Sequence, residues 1–337
     1  MPRIAIDLLG GDAGPGVVAD AVAQFLNRAR EGGQESSVCI VGPTELARDL
    51  LAERGIDMDD HLDVLHAEDC VPMAATSHET VAMVRERIDL TSVVGIDAVR
   101  TGRADAFVSI GHTGATVAAS ALGLGRLPGM GRLGLAVELP SARGPVIFLD
   151  CGAAPHATSD DLVRYAAAGR AYAQALGLAD VRIGLLSIGG ERGKGDHLRK
   201  RADELLEESF GGDYAGAVEG HDLVGESPAN VVVVDGFTGN VALKAMEGAL
   251  RWSVGAMAQA YGAVEPAREV LRTSHFLSGG ALLGVSGNVV VGHGASSAQE
   301  VLACIQRAAL MRTESVLDRV RDALAGFSPL NSRGERA

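Results

Sequence analysis

Short runs of β-branched and other apolar residues alternate along this chain with longer stretches whose apolar positions recur every three or four residues. The short runs read as buried strands and the long ones as amphipathic helices. Strands are predicted at residues 3–8, 37–41, 62–66, 106–109, 133–139, 146–150, 182–187, 231–234 and 289–291. Helices are predicted at 15–30, 160–175, 194–208 and 297–325. Strands alternating with helices predict an α/β fold with a mostly parallel sheet covered on both faces. No repeat, low-complexity linker or charge run marks a boundary. The 337 residues suit one large α/β unit or two domains of ordinary size. The reading taken is a single unit over 1–327, with a helical protrusion around 247–278 and a polar, flexible tail at 328–337.

Composition narrows what such a fold does here. Apolar residues at 47% support a sizeable core, while aromatics at 4% leave little to stack against bases. A net charge of −13 opposes nucleic acid as a partner but leaves room for a small anion held by a few local donors. Cys39, Cys70, Cys151 and Cys304 show no metal-ligand spacing, so no metal site is expected. Four scattered thiols in a chain this long read as reduced and cytoplasmic. The N-terminus runs straight into a strand, and no apolar run is long enough to span a bilayer.

The 44 glycines gather at predicted strand ends, where open α/β folds place their ligands. The segments are Asp7-Leu8-Leu9-Gly10-Gly11-Asp12, Ser109-Ile110-Gly111-His112-Thr113-Gly114-Ala115 and Asp150-Cys151-Gly152-Ala153. Then come Ile188-Gly189-Gly190-Glu191-Arg192-Gly193-Lys194-Gly195, Asp235-Gly236-Phe237-Thr238-Gly239-Asn240, and Gly292-His293-Gly294. One such loop is weak; six at successive strand ends predict a cleft lined by backbone amides and suited to an anion. A nicotinamide enzyme is disfavoured, because no Gly-x-Gly-x-x-Gly follows the first strand. A serine-hydrolase elbow is also absent.

Taken together these segments resemble the phosphate acyltransferases of bacterial phospholipid synthesis, the PlsX family. The resemblance runs from Ile4 to about Met311 and is most specific from Asp235 through Val241, Leu243-Lys244 and Glu247-Gly248. It implies an isocitrate/isopropylmalate dehydrogenase-like (phosphotransacetylase-like) fold. It also implies transfer of an acyl group from acyl carrier protein to inorganic phosphate, a homodimer, no cofactor, and membrane association that is at most peripheral. Several positions depart from the family pattern. His112 and Ser187 stand where the family usually has Asn, Cys151 and Ala154 replace its Val and Asn, and 89–92 and 279–284 also differ. The chain is thus a divergent member, either a housekeeping enzyme or one recruited to another acyl substrate. Coenzyme A as donor and a non-catalytic carrier-binding homologue are the competing readings.

Phosphate attacking a thioester needs no enzyme nucleophile; the protein positions the reactants and stabilises the oxyanion. Lys194, in a Gly-Lys-Gly turn opening a predicted helix, is the first choice for the cation. Asn240 is taken as a donor to carbonyl or phosphate, with a helix cap as the plain alternative. Asp235, ending a four-valine strand, completes the catalytic set. Phosphate or substrate contacts are assigned to Gly10, Gly11, Asp12, Gly111, His112, Thr113, Gly114, Gly152, Gly189, Glu191, Thr238, Gly239 and His293. For Asp7 and Asp12 turn formation stands as an equal alternative. For His112 an acid or phosphate contact stands beside a replacement that simply keeps one hydrogen bond, and the latter is favoured. Cys151 is read as a small buried residue, and Lys244 with Glu247 as a pair on one helix face.

Two surfaces follow. Leu250, Val254, Met257, Tyr261 and Val264 form an apolar stripe at helical spacing, ended by Pro266, and are expected at a dimer contact. Arg192, Lys194, Arg199, Lys200 and Arg201 form the densest basic cluster and are expected to dock the acidic carrier, with a solvated helix end that touches nothing as the near-equal alternative.

Overall fold

A computed structural model describes residues 2–32, 36–58, 61–262, 264–266, 269 and 279–326. In chain order the elements are β1 (Arg3–Asp7), α1 (Pro15–Glu31), β2 (Ser37–Gly42), α2 (Thr44–Ala52), β3 (Leu62–His66) and α3 (Ser77–Glu86). They continue with α4 (Thr91–Arg100), β4 (Ala106–Ser109), α5 (Thr113–Gly123), β5 (Gly134–Leu139), β6 (Val146–Leu149) and α6 (Ser159–Ala175). Then follow β7 (Ile183–Leu186), α7 (His197–Phe210), β8 (Tyr214–Val218), β9 (Val231–Val233) and α8 (Gly236–Tyr261). The last are β10 (Gly280–Leu283), β11 (Asn288–Val291), α9 (Ala298–Thr313) and α10 (Val316–Ala325).

The chain divides into two compact units, residues 1–125 with 243–314, and residues 126–242 with 315–337. In the first unit the strands run β3-β2-β1-β4-β11-β10. All neighbours are parallel except the β10–β11 hairpin. β1 and β4 are buried almost throughout, which is why their sequences show no alternation. Helix α4 packs on β4 at Gly95, where a β-carbon would lie 2.1 Å from the Phe107 ring.

In the second unit the order is β5-β6-β9-β7-β8, with only the β5–β6 hairpin antiparallel. Helix α6 carries twelve buried residues, Tyr165 and Tyr172 among them, and supports this sheet. Helix α10 buries Val316, Val320 and Leu324 and packs on α6.

The mostly parallel α/β architecture matches the expectation, and differences are local. Strands β8 and β10 escaped the sequence reading because Tyr-Ala-Gly-Ala-Val and Gly-Ala-Leu-Leu are short and rich in small residues. The helix expected over 297–325 is two helices, broken where Ser315 adopts a left-handed backbone (φ 53°). The helix expected from 194 starts at His197, capped by Asp196, which accepts from the Arg199 amide. Much of the protrusion expected around 247–278 lies outside the described residues.

Candidate active site

Three strands, β1, β6 and β9, each end in an aspartate that turns back to organise the loop after it. These are Asp7, Asp150 and Asp235, all buried. Each unit therefore carries its own cluster of glycine turns at the carboxyl ends of its strands.

In the second unit the centre is Asp150. Its Oδ1 accepts from the amides of Leu135 (2.9 Å), Gly152 (2.8 Å) and Ala153 (2.8 Å), and its Oδ2 from Ala154 (2.8 Å). Burial pushes this carboxyl up to about 6, against the pull of those four donors. At neutral pH it is therefore an anion satisfied by main chain alone. The turn it organises meets the first turns of α8. Gly236 donates to the Ala154 carbonyl, and a β-carbon at Gly239 would fall 1.8 Å from the Asp150 carbonyl oxygen.

Asp235 caps α8. Its carboxylate accepts from the Thr238 amide (3.0 Å) and hydroxyl (2.8 Å) and is ion-paired with Arg199, whose guanidinium also donates to Thr238 (2.9 Å) and Asp196 (2.9 Å). Burial would raise the Asp235 carboxyl, but the Thr238 donors and the Arg199 cation outweigh it and hold it low. The capping role considered for Asn240 thus belongs to Asp235. Asn240 lies one turn further on, exposed, and among the described residues its amide has no hydrogen-bond partner. It rests against Gly152, where a β-carbon would lie 2.5 Å from the amide nitrogen. Gly152 has φ 126°, a backbone that a side chain would strain.

Lys194 sits in the loop ahead of α7 rather than at a helix start. Its ammonium pairs with Glu191 (2.9 Å), which raises the lysine and lowers the carboxyl. Gly189 lies beneath both side chains. Lys194 and Glu191 line a cavity of about 230 Å³ with Gly190, Ser187, Arg199 and Tyr214. Asp235 and Thr238 line a different cavity, about 410 Å³, with Phe237, Leu198 and His156; Arg199 borders both. Among the described residues the buried Ser187 hydroxyl has no partner.

The basic cluster is not one surface. Arg199 is 11% exposed and spent on Asp235 and Asp196. Arg192 pairs with Glu207, Lys194 with Glu191 and Arg201 with Glu204. Glu191 and Glu204 stand three residues from their cations, whereas Glu207 and Asp235 come from further along the chain; Lys200 and Arg201 are adjacent, exposed side chains on α7.

In the first unit Asp7 accepts from the Leu9 amide (3.0 Å) and the Ser109 hydroxyl (2.9 Å), and Ser109 in turn accepts from the Gly111 amide (3.2 Å). Burial raises Asp7. Gly10 and Gly111 are backbone to backbone: a β-carbon on Gly10 would sit 2.6 Å from Gly111 Cα. Gly11 packs on Ile110, and the Asp12 amide donates to the Gly294 carbonyl (2.7 Å) while its carboxylate is exposed. So Asp7 builds the turn and Asp12 does not bury its charge.

His112 is a cap. Its Nδ1 accepts from the Ala115 amide (3.2 Å) at the start of α5, which opens with Thr113 and Gly114, and its Nε2 faces the Ala75 carbonyl at 3.2 Å. Both nitrogens are engaged, which fits the simpler reading. His293 Nδ1 accepts from the Ala295 amide (3.1 Å); burial, then the Lys244 cation, hold it below the usual imidazole range. Lys244 pairs with the buried Glu247 at 3.0 Å, as their spacing implied. The thiols are quiet: burial raises Cys39, pushes Cys70 to about 11 and Cys304 to about 12, and Cys151 donates to the Phe148 carbonyl.

Sequence reasoning missed Asp150 as a site residue and placed Arg199 on the surface. A signal existed for the first: Asp150 ends a buried apolar strand as Asp235 and Asp7 do.

The α/β fold is one that solved phosphotransacylases share. A phosphotransacetylase from Streptococcus pyogenes superposes with a TM-score of 0.61 at 17% identity, covering 94% of each chain. A branched-chain phosphotransacylase from Enterococcus faecalis gives 0.57 at 13%, covering 93% of this chain and 99% of that one. At such identities the likeness is one of fold. The family described as "Fatty acid synthesis protein" matches residues 2–267. A phosphate acyltransferase from Thermus thermophilus is 41% identical over 96% of this chain and 99% of its own length. One from Thermobifida fusca is 38% identical over 97% and 92%. The chain belongs to the phosphate acyltransferase family, a family of acyltransferase enzymes. Among the described residues no helix is long and apolar enough to cross a membrane.

Proposed function

We propose that this protein transfers an acyl group from an acyl carrier protein thioester to inorganic phosphate, with bound phosphate attacking the carbonyl directly. The observation that carries this reading is Asn240: an exposed amide without a partner among the described residues, held on a glycine framework beside two buried, anchored aspartates. An amide so placed donates to an oxyanion or phosphate oxygen without reorganising. Lys194 supplies the cation: it is tethered to Glu191 on a glycine-flanked loop, and its ammonium can exchange that carboxylate for a substrate oxygen. Asp235 acts through Thr238 and Arg199. Thiols raised by burial at Cys70 and Cys304, and a Cys151 thiol that donates to the Phe148 carbonyl, support attack by phosphate rather than through a cysteinyl intermediate.

The working form is a homodimer. Along α8 Leu250 is half-buried and Val254 buried, whereas Trp252, Met257 and Tyr261 are 75%, 59% and 81% exposed, with Val264 beyond them also exposed. An outward apolar face of this kind calls for cover by a second copy.

The reading is tested by incubating purified protein with phosphate and either acyl carrier protein thioester or acyl-coenzyme A, and measuring acyl phosphate. Phosphate-dependent product from the carrier donor is expected. Product only from the coenzyme A donor reassigns the donor, and none from either leaves a carrier-binding homologue.

A further inference from the structure

Asp150 is the most fully engaged carboxylate described in the chain, yet the proposed chemistry gives it no contact with substrate. Its side chain reaches four main-chain amides and no cation. Three of those amides belong to residues 152–154, and the loop from 150 to 154 touches α8 at three successive points. Ala154 accepts from Gly236, the Asp150 carbonyl lies under Gly239, and Gly152 lies under the Asn240 amide. A β-carbon at Gly239 would fall on the Asp150 carbonyl, and Gly152 holds a backbone (φ 126°) that a side chain would strain, so turn and helix share one register. The carboxylate also lies at the N-terminal end of α8, where negative charge is favoured.

We propose that Asp150 is a positioning residue for acyl transfer: its carboxylate locks the 152–154 turn against α8 and so fixes the direction of the Asn240 amide. This rests on the reading of Asn240 as a substrate-binding amide. An asparagine at 150 has the same shape but one oxygen fewer. Its NH₂ must face an amide N–H that it cannot accept from, so at least one of the four bonds is lost. The turn is then free to shift by the few tenths of an ångström that misdirect a donor.

The test is a double-mutant cycle read on kcat, KM for the acyl donor, and Tm. Asn240→Ala should lower kcat on the order of a hundredfold. Asp150→Asn should lower kcat at least tenfold with donor KM nearly unchanged, and the double variant should be no slower than Asn240→Ala alone. Should Asp150→Asn fail to fold, Gly152→Ala takes its place in the cycle, because its new β-carbon collides with the Asn240 amide from the same turn. The same lack of additivity is expected. Effects that multiply in the double variant would show a merely structural Asp150 and overturn the proposal. A parental rate for Asp150→Asn alongside a slow Asn240→Ala overturns this proposal and spares the reading of Asn240. A parental rate for Asn240→Ala overturns both.

Discussion

At the scale of single residues, the site is governed by aspartates that differ in what surrounds them. Asp150 and Asp7 are raised by burial, Asp150 to about 6, while Asp235 is held low by Thr238 and Arg199. The two kinds impose opposite pH dependences. For Asp150 the folded value exceeds the unfolded one of about 4. Its contribution is fully present below about pH 4 and is lost as pH rises through about 6. Relative to Asp150→Asn, the parent should therefore lose stability between pH 4 and 6 and run parallel above that, as melting curves across pH will show. Asp235 works the other way: its contribution is present above about pH 4 and is lost as pH falls through its depressed folded value. The stability gap between parent and Asp235→Asn should accordingly shrink below pH 4; a gap that widens there contradicts the assignment.

Lys194 belongs to the same scale. Because it is half-exposed and tied to Glu191 by a surface ion pair, removing it leaves the fold intact. Lys194→Ala is expected to keep the parental Tm while losing most phosphate-dependent turnover. Parental turnover in that variant removes Lys194 from the mechanism.

At the scale of elements, α7 and α8 are coupled through the Arg199–Asp235–Thr238 cluster. This cluster turns a surface expectation into a structural one. Reversing Arg199 together with its neighbours mixes two effects, so they are best separated. Arg199→Ala strands a buried carboxylate at the start of α8 and should destabilise by roughly 3–5 kcal/mol, measurable by urea denaturation. Lys200→Glu with Arg201→Glu changes exposed charge alone. If the carrier docks there, this pair should raise KM for the carrier-bound donor and leave a small uncharged thioester unaffected. Equal effects on both donors, or none on either, move the docking surface elsewhere. The sequence could not make this separation, since helical spacing gives the face of a residue but not the partner that meets it from another strand.

At the scale of the whole molecule, the exposed apolar face of α8 carries the expectation of a dimer. Met257→Glu with Tyr261→Glu should give a monomer by light scattering at micromolar concentration and leave the far-ultraviolet spectrum unchanged, because both side chains are exposed in the single chain. A variant that remains a dimer places the interface on another face.

The sequence by itself determined the scaffold: apolar runs such as Arg3–Asp7 and Ala106–Ser109 are buried on both sides, and only parallel strands covered by helices bury them so. It also determined where the backbone makes close approaches, because a glycine whose place admits no β-carbon, as at Gly10 or Gly239, is visible as a letter before its neighbour is known. Helix starts were less legible: Lys194 reads as helical until Asp196 is seen to cap α7 at His197. Tertiary structure alone decided which charges are spent. The pairing of Arg199 with Asp235 and of Arg192 with Glu207, the cap at His112 and the four amides on Asp150 all involve partners from distant segments or main-chain atoms. Local sequence sets which groups exist and which way they face; burial and pairing depend on what the rest of the chain brings against them.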